Sequence, residues 1–415
     1  MPIDQTHDSS LVSWVESAND PATDFPIQNL PYCRFRRPGE GRPSAGVRIG
    51  DQILDITGAF AIESVRAIMA MPRAERAELR RRISALLSRD APAPELLTPV
   101  HGADLLLCEI GDYTDFFASL HHATNVGSLF RPGNPLQPNY KWVPIAYHGR
   151  ASSIVISGTA VRRPWGQIAE KREGPPVFAP TRRLDYEVEL GAFLGPGNPI
   201  GEPIPVGEAL EHIAGVCLLN DWSARDIQTW EYQPLGPFLS KSFATSVSPW
   251  VVSLEALEPF RTEPEPRPAS DPQPLAHLRG SGYDAFSITL ELWLHSPRMH
   301  GPVLVSRGNF ASMYWTLAQM VAHHTSNGCP LRPGDLIGSG TVSGPEKQNR
   351  GCLLEMTAGG AEPLQLPTGE TRTFLEDGDL VILRGYCEAP GFRRIGLGEC
   401  RGTILPANPA SAIDR

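Results

Sequence analysis

The chain has 415 residues, 41% hydrophobic and 20% charged, the make-up of a globular protein with a large core. Its formal charge of −9, from 37 basic and 46 acidic residues, argues against nucleic-acid binding and leaves an anionic substrate open, because sites act through local charge. The seven cysteines (33, 108, 217, 329, 352, 387 and 400) form no Cys-x-x-Cys, the N-terminus has no basic-then-apolar signal, and no apolar run approaches the roughly 18 residues of a membrane span, so reduced thiols in a cytoplasmic protein without a membrane segment are expected.

The length predicts about two or three domains. The 39 glycines and 41 prolines, spread throughout, predict many short strands and turns. In chain order, residues 1–30 read as a polar arm. Val47-Arg48-Ile49 and Gln52-Ile53-Leu54-Asp55-Ile56 flank Gly50-Asp51 as a hairpin. Residues 62–90 read as helix divided at Pro72, with Arg80-Arg81-Arg82 on a solvated face. Ala91-Pro-Ala-Pro reads as a linker, which places a small N-terminal domain before residue 105 or so and a larger one after it. Leu105-Leu106-Leu107 is an apolar strand. Residues 184–190 alternate as a strand, and the glycine-rich segment 191–197 lacks the Gly-Lys-Ser/Thr ending of a phosphate loop, so it reads as a turn. Helices are expected at 205–213, 223–231 and 309–324, the last capped by Asn309 and ended by Asn327-Gly328. Six prolines between 259 and 274 mark a loop. There is no internal repeat.

Asp185, Glu187 and Glu189 occupy one parity of the 184–190 strand, so a side-chain period of two puts them on one face, roughly 7 Å between neighbours. Like charges in that arrangement repel unless a positive group sits among them, and a hard divalent cation bound by oxygen is the natural candidate. Asp115 and Asp221 each stand where an apolar strand gives way to a loop or helix, a common place for site residues. Each acid also has a plainer reading, Asp115 and Asp221 as caps and the two glutamates as a solvated strand face. Spacing alone does not bring them together. His122 follows Asp115 by seven residues, so on a helix both fall on one face, and a neutral imidazole beside a metal-bound water serves as general base. Packing is the plainer reading of His122, as it is of His323-His324; His148 is open either way. No His-x-x-x-His or cysteine-rich set supports zinc, and no Gly-x-Ser-x-Gly supports a serine hydrolase.

Seven motifs carry a resemblance: Asp-Tyr-Thr-Asp-Phe (112–116), His-Ala-Thr-Asn-Val-Gly (122–127), Tyr-His-Gly-Arg-Ala-Ser-Ser (147–153), Leu-Asp-Tyr-Glu-Val-Glu (184–189), Asn-Asp-Trp-Ser-Ala-Arg-Asp-Ile-Gln (220–228), Gly-Pro-Phe-Leu-Ser-Lys-Ser-Phe (236–243) and Gly-Ser-Gly-Thr-Val-Ser-Gly (338–344). In this order they resemble the fumarylacetoacetate hydrolase family. The resemblance implies a mainly β fold with some α: a small N-terminal SH3-like barrel over 1–105, then a mixed β-sandwich roll catalytic domain over 106–415. It implies a homodimer formed through the larger domain. It implies that Asp115, Glu187, Glu189 and Asp221 hold a catalytic Mg²⁺ or Ca²⁺, with Lys241 and Thr245 in a neighbouring cation-binding segment. By the same resemblance His122 is the base and Glu355 its orienting carboxylate, while Arg225, Gln228 and Lys241 stabilise developing negative charge. Arg131, Tyr147, Gln228, Tyr232 and Thr341 match substrate contacts. Phe117 stands at a further contact position where the family commonly has tyrosine, and Ala244 stands where glycine is usual. The implied substrate is 4-fumarylacetoacetate, a small 1,3-diketone with a carboxylate at each end. Acylpyruvate hydrolysis and β-keto acid decarboxylation are alternatives on the same scaffold; the chain length, the N-terminal domain and the His122–Glu355 pair favour the larger diketone.

Overall fold

Gly50 and Asp51 turn the chain between strands Ser44–Ile49 and Gln52–Asp55. Gly50 has a φ of +53°, and a Cβ there would lie 2.3 Å from Ser17 Oγ, so only glycine fits. The second strand stops at Asp55, one residue short of the expected Ile56. The Asp55 carboxylate accepts from Gly58 N at 3.0 Å and starts a short helix, Ile56–Phe60. The computed structural model describes residues 3–88, 92–169, 174–280 and 282–410. The hairpin joins Leu97–Pro99, Tyr32–Arg36 and Asp104–Leu106 in a five-stranded antiparallel sheet, the small N-terminal β unit expected.

Pro72 divides the following helical segment as expected, into Val65–Ala70 and Arg73–Ser88; residues 89–91, which include the start of the linker reading, lie outside the described residues. The arginine-rich face is not solvated at Arg80. That side chain is buried, and its guanidinium donates to Asn29 O at 2.7 Å, to Gln28 O and to Thr6 Oγ1. The reason is the N-terminal segment, which lies across the helix and offers backbone carbonyls that only a long cationic donor reaches. Arg76, four residues earlier, is fully buried and donates to Glu255 Oε1, Met71 O and Ile213 O, tying this helix to the root of a central strand of the larger sheet.

Two sheets make the larger part. One runs in the order Ala146–His148, Tyr113–Phe116, Leu336–Gly338, Val188–Leu194, Ile213–Asp221, Thr245–Val247, Ile154–Ile156, with Val252–Ser253 also paired to Ile213–Asp221. It is mixed: Leu336–Gly338 is parallel to Tyr113–Phe116, and Thr245–Val247 to Ile154–Ile156. The other is ordered Val303–Asn309, Thr289–His295, Leu380–Cys387, Ile395–Leu405, Val161–Arg162. Their inner faces share one core that includes Leu190, Leu218, Trp222, Leu290, Leu383 and Leu397. A Cβ on Gly385 would meet Leu218 and Leu290 at 2.9 and 3.1 Å, so the sheets approach there over a bare backbone.

Other expectations shift locally. The 184–190 strand is interrupted: Leu184–Asp185 pairs with Ser223–Ala224, while Val188–Leu194 pairs with Ile213–Asp221. Residues 205–213 form only a short 3-10 turn, Ala209–His212, before the chain enters the sheet at Ile213. The helix expected at 223–231 spans Arg225–Glu231. The helix expected at 309–324 spans Leu317–Thr325, because pairing of Asn309 with Thr289 holds the preceding chain in the sheet. Asn309 caps a 3-10 turn, and the helix starts instead at a Thr316–Gln319 capping box. Arg76→Ala removes one partner of a fully buried ion pair, and the expected cost is about 3–5 kcal/mol of stability, read by urea unfolding. Stability equal to the parent's would show that the pair is not an anchor.

Candidate active site

Three strand ends place three acids. Asp115 lies opposite Gly338 on one side and Tyr147 on the other. Glu189 faces Leu219 across the strand pair, and Asp221 ends its strand opposite Thr245. One carboxylate oxygen from each of Asp115, Glu189 and Asp221 lies within 4.8 Å of the other two. Two of the three close over a glycine: a Cβ on Gly338 would sit 2.3 Å from Asp115 Oδ1 and 3.1 Å from Glu189 Oε2. Each acid is anchored through one oxygen. Gly340 N donates to Glu189 Oε2 at 3.1 Å, Tyr147 Oη lies 3.1 Å from Asp115 Oδ2 and 3.0 Å from Asp221 Oδ2, and Lys241 Nζ donates to Asp221 Oδ2 at 2.5 Å. The second oxygens, Asp115 Oδ1, Glu189 Oε1 and Asp221 Oδ1, are buried and have no protein partner. Buried carboxylate oxygens are costly in that state. An all-oxygen, anionic set with one free oxygen per residue fits a hard divalent cation.

The other two acids of the alternating run are compensated by protein cations. Glu187 Oε1 accepts from Arg225 Nη1 at 2.6 Å, and its Oε2 lies 2.8 Å from Lys241 Nζ. Asp185 Oδ2 accepts from Arg225 Nε at 2.9 Å. Asp185 also takes the Leu353 and Leu354 N–H groups that open the short helix Leu353–Met356. Positive charge therefore sits among the alternating acids, but for Asp185 and Glu187 it is guanidinium and ammonium. Burial raises the Glu187 carboxyl, and Lys241 and Arg225 overcome this to hold it well below the usual carboxylate range. Glu189 goes the other way, pushed well up by burial and then by the Asp115, Asp221 and Glu187 carboxylates. Asp221 is likewise raised by burial, against the pull of Lys241, and Asp115 is raised as well. The three clustered acids are thus short of positive charge, while Glu187 is not.

His122 sits on helix Leu120–Phe130, whose start is capped by Ser119 Oγ accepting from His122 N. Its Nδ1 lies 2.6 Å from Glu355 Oε2. The same oxygen accepts from Ser343 Oγ at 2.8 Å and Cys352 Sγ at 3.1 Å, and Oε1 accepts from Asn125 Nδ2 at 2.8 Å. Burial raises the Glu355 carboxyl, but His122 and these donors bring it down to about 2. An ionised Glu355 only accepts, so Nδ1 carries a proton toward it, and whenever the ring is neutral the lone pair is on Nε2.

A cavity of about 440 Å³ joins the two groups, lined among others by Asp115, His122, Glu187, Arg225 and Lys241. Five of the residues expected at substrate line it: Phe117, Arg131, Tyr147, Gln228 and Tyr232. Phe117 packs edge-on against the His122 imidazole, ring centres 5.2 Å apart. Arg131 donates to Pro135 O at 2.8 Å, and Gln228 Oε1 accepts from Arg225 Nη1 at 3.2 Å, which leaves the Gln228 amide N–H groups for the cavity. Thr341 is buried beside the cluster and is not among the lining residues; its Oγ1 has no partner. Thr245 and Lys241 border a second cavity of about 410 Å³ on the far side of Tyr147. Asn125, Ser343 and Cys352 escaped the sequence reading. Asn125 and Ser343 lie inside two of the seven motifs, and Cys352 stands three residues before Glu355.

The fold resembles solved hydrolases at low identity. The fumarylacetoacetate hydrolase from psychrophilic Exiguobacterium antarcticum superposes with a TM-score of 0.52 at 17% identity, covering 91% of this chain and 100% of that one. Maleylpyruvate hydrolase from Sphingobium sp. SYK-6, in complex with manganese(II) ion and pyruvate, gives 0.51 at 16%, with coverage of 91% and 100%. Family models match nearly the whole length: the fumarylacetoacetase N-terminal model over 28–107 and the fumarylacetoacetate (FAA) hydrolase C-terminal model over 113–405. Fumarylacetoacetase from Homo sapiens is 47% identical over 421 residues, 95% of this chain and 99% of that protein; its Caenorhabditis elegans counterpart is 48% identical over 416, with 93% and 97% covered. The chain belongs to the fumarylacetoacetate hydrolase family.

Because folding holds the Glu355 carboxyl at about 2, its ionisation stabilises the fold at pH values above the ordinary 4.5, by about 3 kcal/mol, and that contribution fades as pH falls toward 2. The parent's stability advantage over Glu355→Gln is therefore expected to be full at pH 6 and to shrink steadily below pH 4.5 in acid-unfolding measurements. An advantage that stays constant down to pH 2 would contradict this.

Proposed function

We propose that the chain hydrolyses the C–C bond of 4-fumarylacetoacetate to fumarate and acetoacetate, the last step of tyrosine and phenylalanine breakdown. Identity of 44–48% to fumarylacetoacetases over nearly the full length supports the reaction. The single structural observation that carries it is one cavity lined both by His122, whose imidazole Glu355 orients, and by Asp115 of the cation-poor acid cluster. Asp115, Glu189 and Asp221 hold Mg²⁺ or Ca²⁺ through their free oxygens, with Glu187 beside them. The bound cation supplies Lewis-acid polarisation of the substrate carbonyl.

The protein's own groups do the rest. His122 Nε2 takes a proton from water, and Glu355 holds the imidazole by Nδ1 and balances the charge that develops. The hydroxide oxygen bonds to the fumaroyl carbon. The bond to the acetoacetyl carbon breaks, its electron pair leaves as an enolate, and a proton returns to that carbon. Lys241, Arg225 and the Gln228 amide face the enolate; preorganised donors of this kind contribute about 3–4 kcal/mol each. Arg131 takes a terminal carboxylate by paired donors. Tyr232 and Phe117 form walls, Phe117 without the hydroxyl that tyrosine would bring. Thr341 is a further substrate contact in this reading, through the Oγ1 that has no protein partner, and Lys241 with Thr245 lines a neighbouring ion-binding segment. In the same reading residues 1–105 form the N-terminal unit and 106–415 the catalytic one, and the enzyme works as a cytoplasmic homodimer through its larger domain. No helix among the described residues is long and apolar enough to cross a membrane.

His122→Ala is expected to lower turnover of fumarylacetoacetate, followed by its ultraviolet absorbance, at least 100-fold, the low end of what general base catalysis contributes, roughly 10²–10⁴-fold, with cation binding retained. Turnover close to the parent's would remove His122 from the role. Chelation should silence the enzyme and Mg²⁺ or Ca²⁺ should restore it; full activity in cation-free protein would overturn the cation's part.

A further inference from the structure

Tyr147 does more than line the cavity. It stands directly across the strand pair from Asp115, and its hydroxyl lies within hydrogen-bond distance of two of the three clustered acids, 3.1 Å from Asp115 Oδ2 and 3.0 Å from Asp221 Oδ2. The oxygens it touches are the ones turned away from the partnerless Asp115 Oδ1 and Asp221 Oδ1. From this geometry we infer that Tyr147 is a positioning residue for the acid cluster, one that sets the two aspartates so that their free oxygens converge on a divalent cation. The inference rests on the cation reading given above.

The physical case is a matter of rotation. An aspartate carboxylate turns readily about its last torsion unless one oxygen is pinned. Glu189 is pinned by the Gly340 N–H, and Asp221 is pinned twice, by Tyr147 and by Lys241 Nζ. Asp115 is held by Tyr147. The phenol has one proton, so it donates to one aspartate at a time while keeping both within reach. It adds no charge, unlike Lys241, and so fixes the acids without competing with an incoming cation. One oxygen from each of the three acids lies within 4.8 Å of the other two, close enough for one ion to be shared among them. Removing the hydroxyl frees Asp115 to turn and leaves two like charges without a donor between them, so ordering them again is charged against cation binding. Groups that orient metal ligands in this way are worth about 10- to 100-fold in metal affinity.

The test is a calorimetric titration of the chelator-stripped full-length protein with Mn²⁺ alone, repeated with Mg²⁺ and Ca²⁺, for the parent and Tyr147→Phe, without substrate. The parent should bind one ion, and Tyr147→Phe should bind about 10- to 100-fold more weakly while its melting temperature without metal stays near the parent's. A second variant, Asp115→Asn, removes a ligand charge and should weaken binding at least as much. If Tyr147→Phe binds all three ions as tightly as the parent and only KM for substrate rises, Tyr147 is a substrate contact and the inference is wrong, while the proposed reaction stands. If the parent binds none of the three ions, both fail together. Should Tyr147→Phe not fold, Tyr147→His, which restores a donor on a shorter side chain, takes its place; affinity equal to the parent's in a variant whose donor no longer reaches Asp115, as its crystal structure would show, overturns the inference equally.

Discussion

Six carboxylates (Asp115, Asp185, Glu187, Glu189, Asp221 and Glu355) are buried in the site, Asp115 and Glu187 lining its cavity, and the cations paired with them are Arg225 and Lys241. That imbalance is the constraint on which the rest of the structure depends. A buried charge is tolerated only when paired or fully hydrogen-bonded. Arg225 is shared by Asp185 and Glu187, and Lys241 by Glu187 and Asp221. Glu355 is satisfied by His122 and three neutral donors. What is left over is concentrated in the three acids that each keep one oxygen without a partner.

Sheet architecture makes this arrangement affordable. The three clustered acids sit on three strands of one sheet, Glu189 and Asp221 on neighbours and Asp115 one strand further over, across Leu336–Gly338, so backbone pairing fixes their separation before any side chain acts. Gly338 keeps the space between Asp115 and Glu189 open by having no side chain. The break between Asp185 and Val188 lets consecutive acids serve different partners. Asp185 accepts the first N–H groups of the helix that carries Glu355, so the guanidinium of Arg225 and the carboxylate that orients His122 are set by one connected group of hydrogen bonds. Charge balance among the acids and the geometry of the base are thereby linked through hydrogen bonds.

Much of the site was legible in the sequence, because its parts are local. The period of two picked out Asp185, Glu187 and Glu189, and the strand-to-loop junctions picked out Asp115 and Asp221. Family motifs paired His122 with Glu355 across more than two hundred residues, which spacing alone does not do. Periodicity did not distinguish Asp185 and Glu187, which meet Arg225, from Glu189, which does not, since all three share a parity. Asn125, Ser343 and Cys352 were missed because a small polar residue acquires its role only when a distant carboxylate arrives beside it. In the fold, the hairpin at Gly50-Asp51 and the division at Pro72 followed from local chemistry. Arg80 and the helix expected at 309–324 did not: tertiary partners, the N-terminal carbonyls in one case and the Thr289 strand in the other, overrode the local pattern.

In the reading proposed above, Asp115, Glu189 and Asp221 converge on one divalent cation at the cavity that His122 also lines. Anomalous diffraction from crystals of the parent soaked in Mn²⁺ tests it most directly. One strong peak is expected, about 2.0–2.6 Å from an oxygen of each of the three acids. Crystals of active enzyme with no peak there, or with the ion bound elsewhere in the cavity, would contradict it.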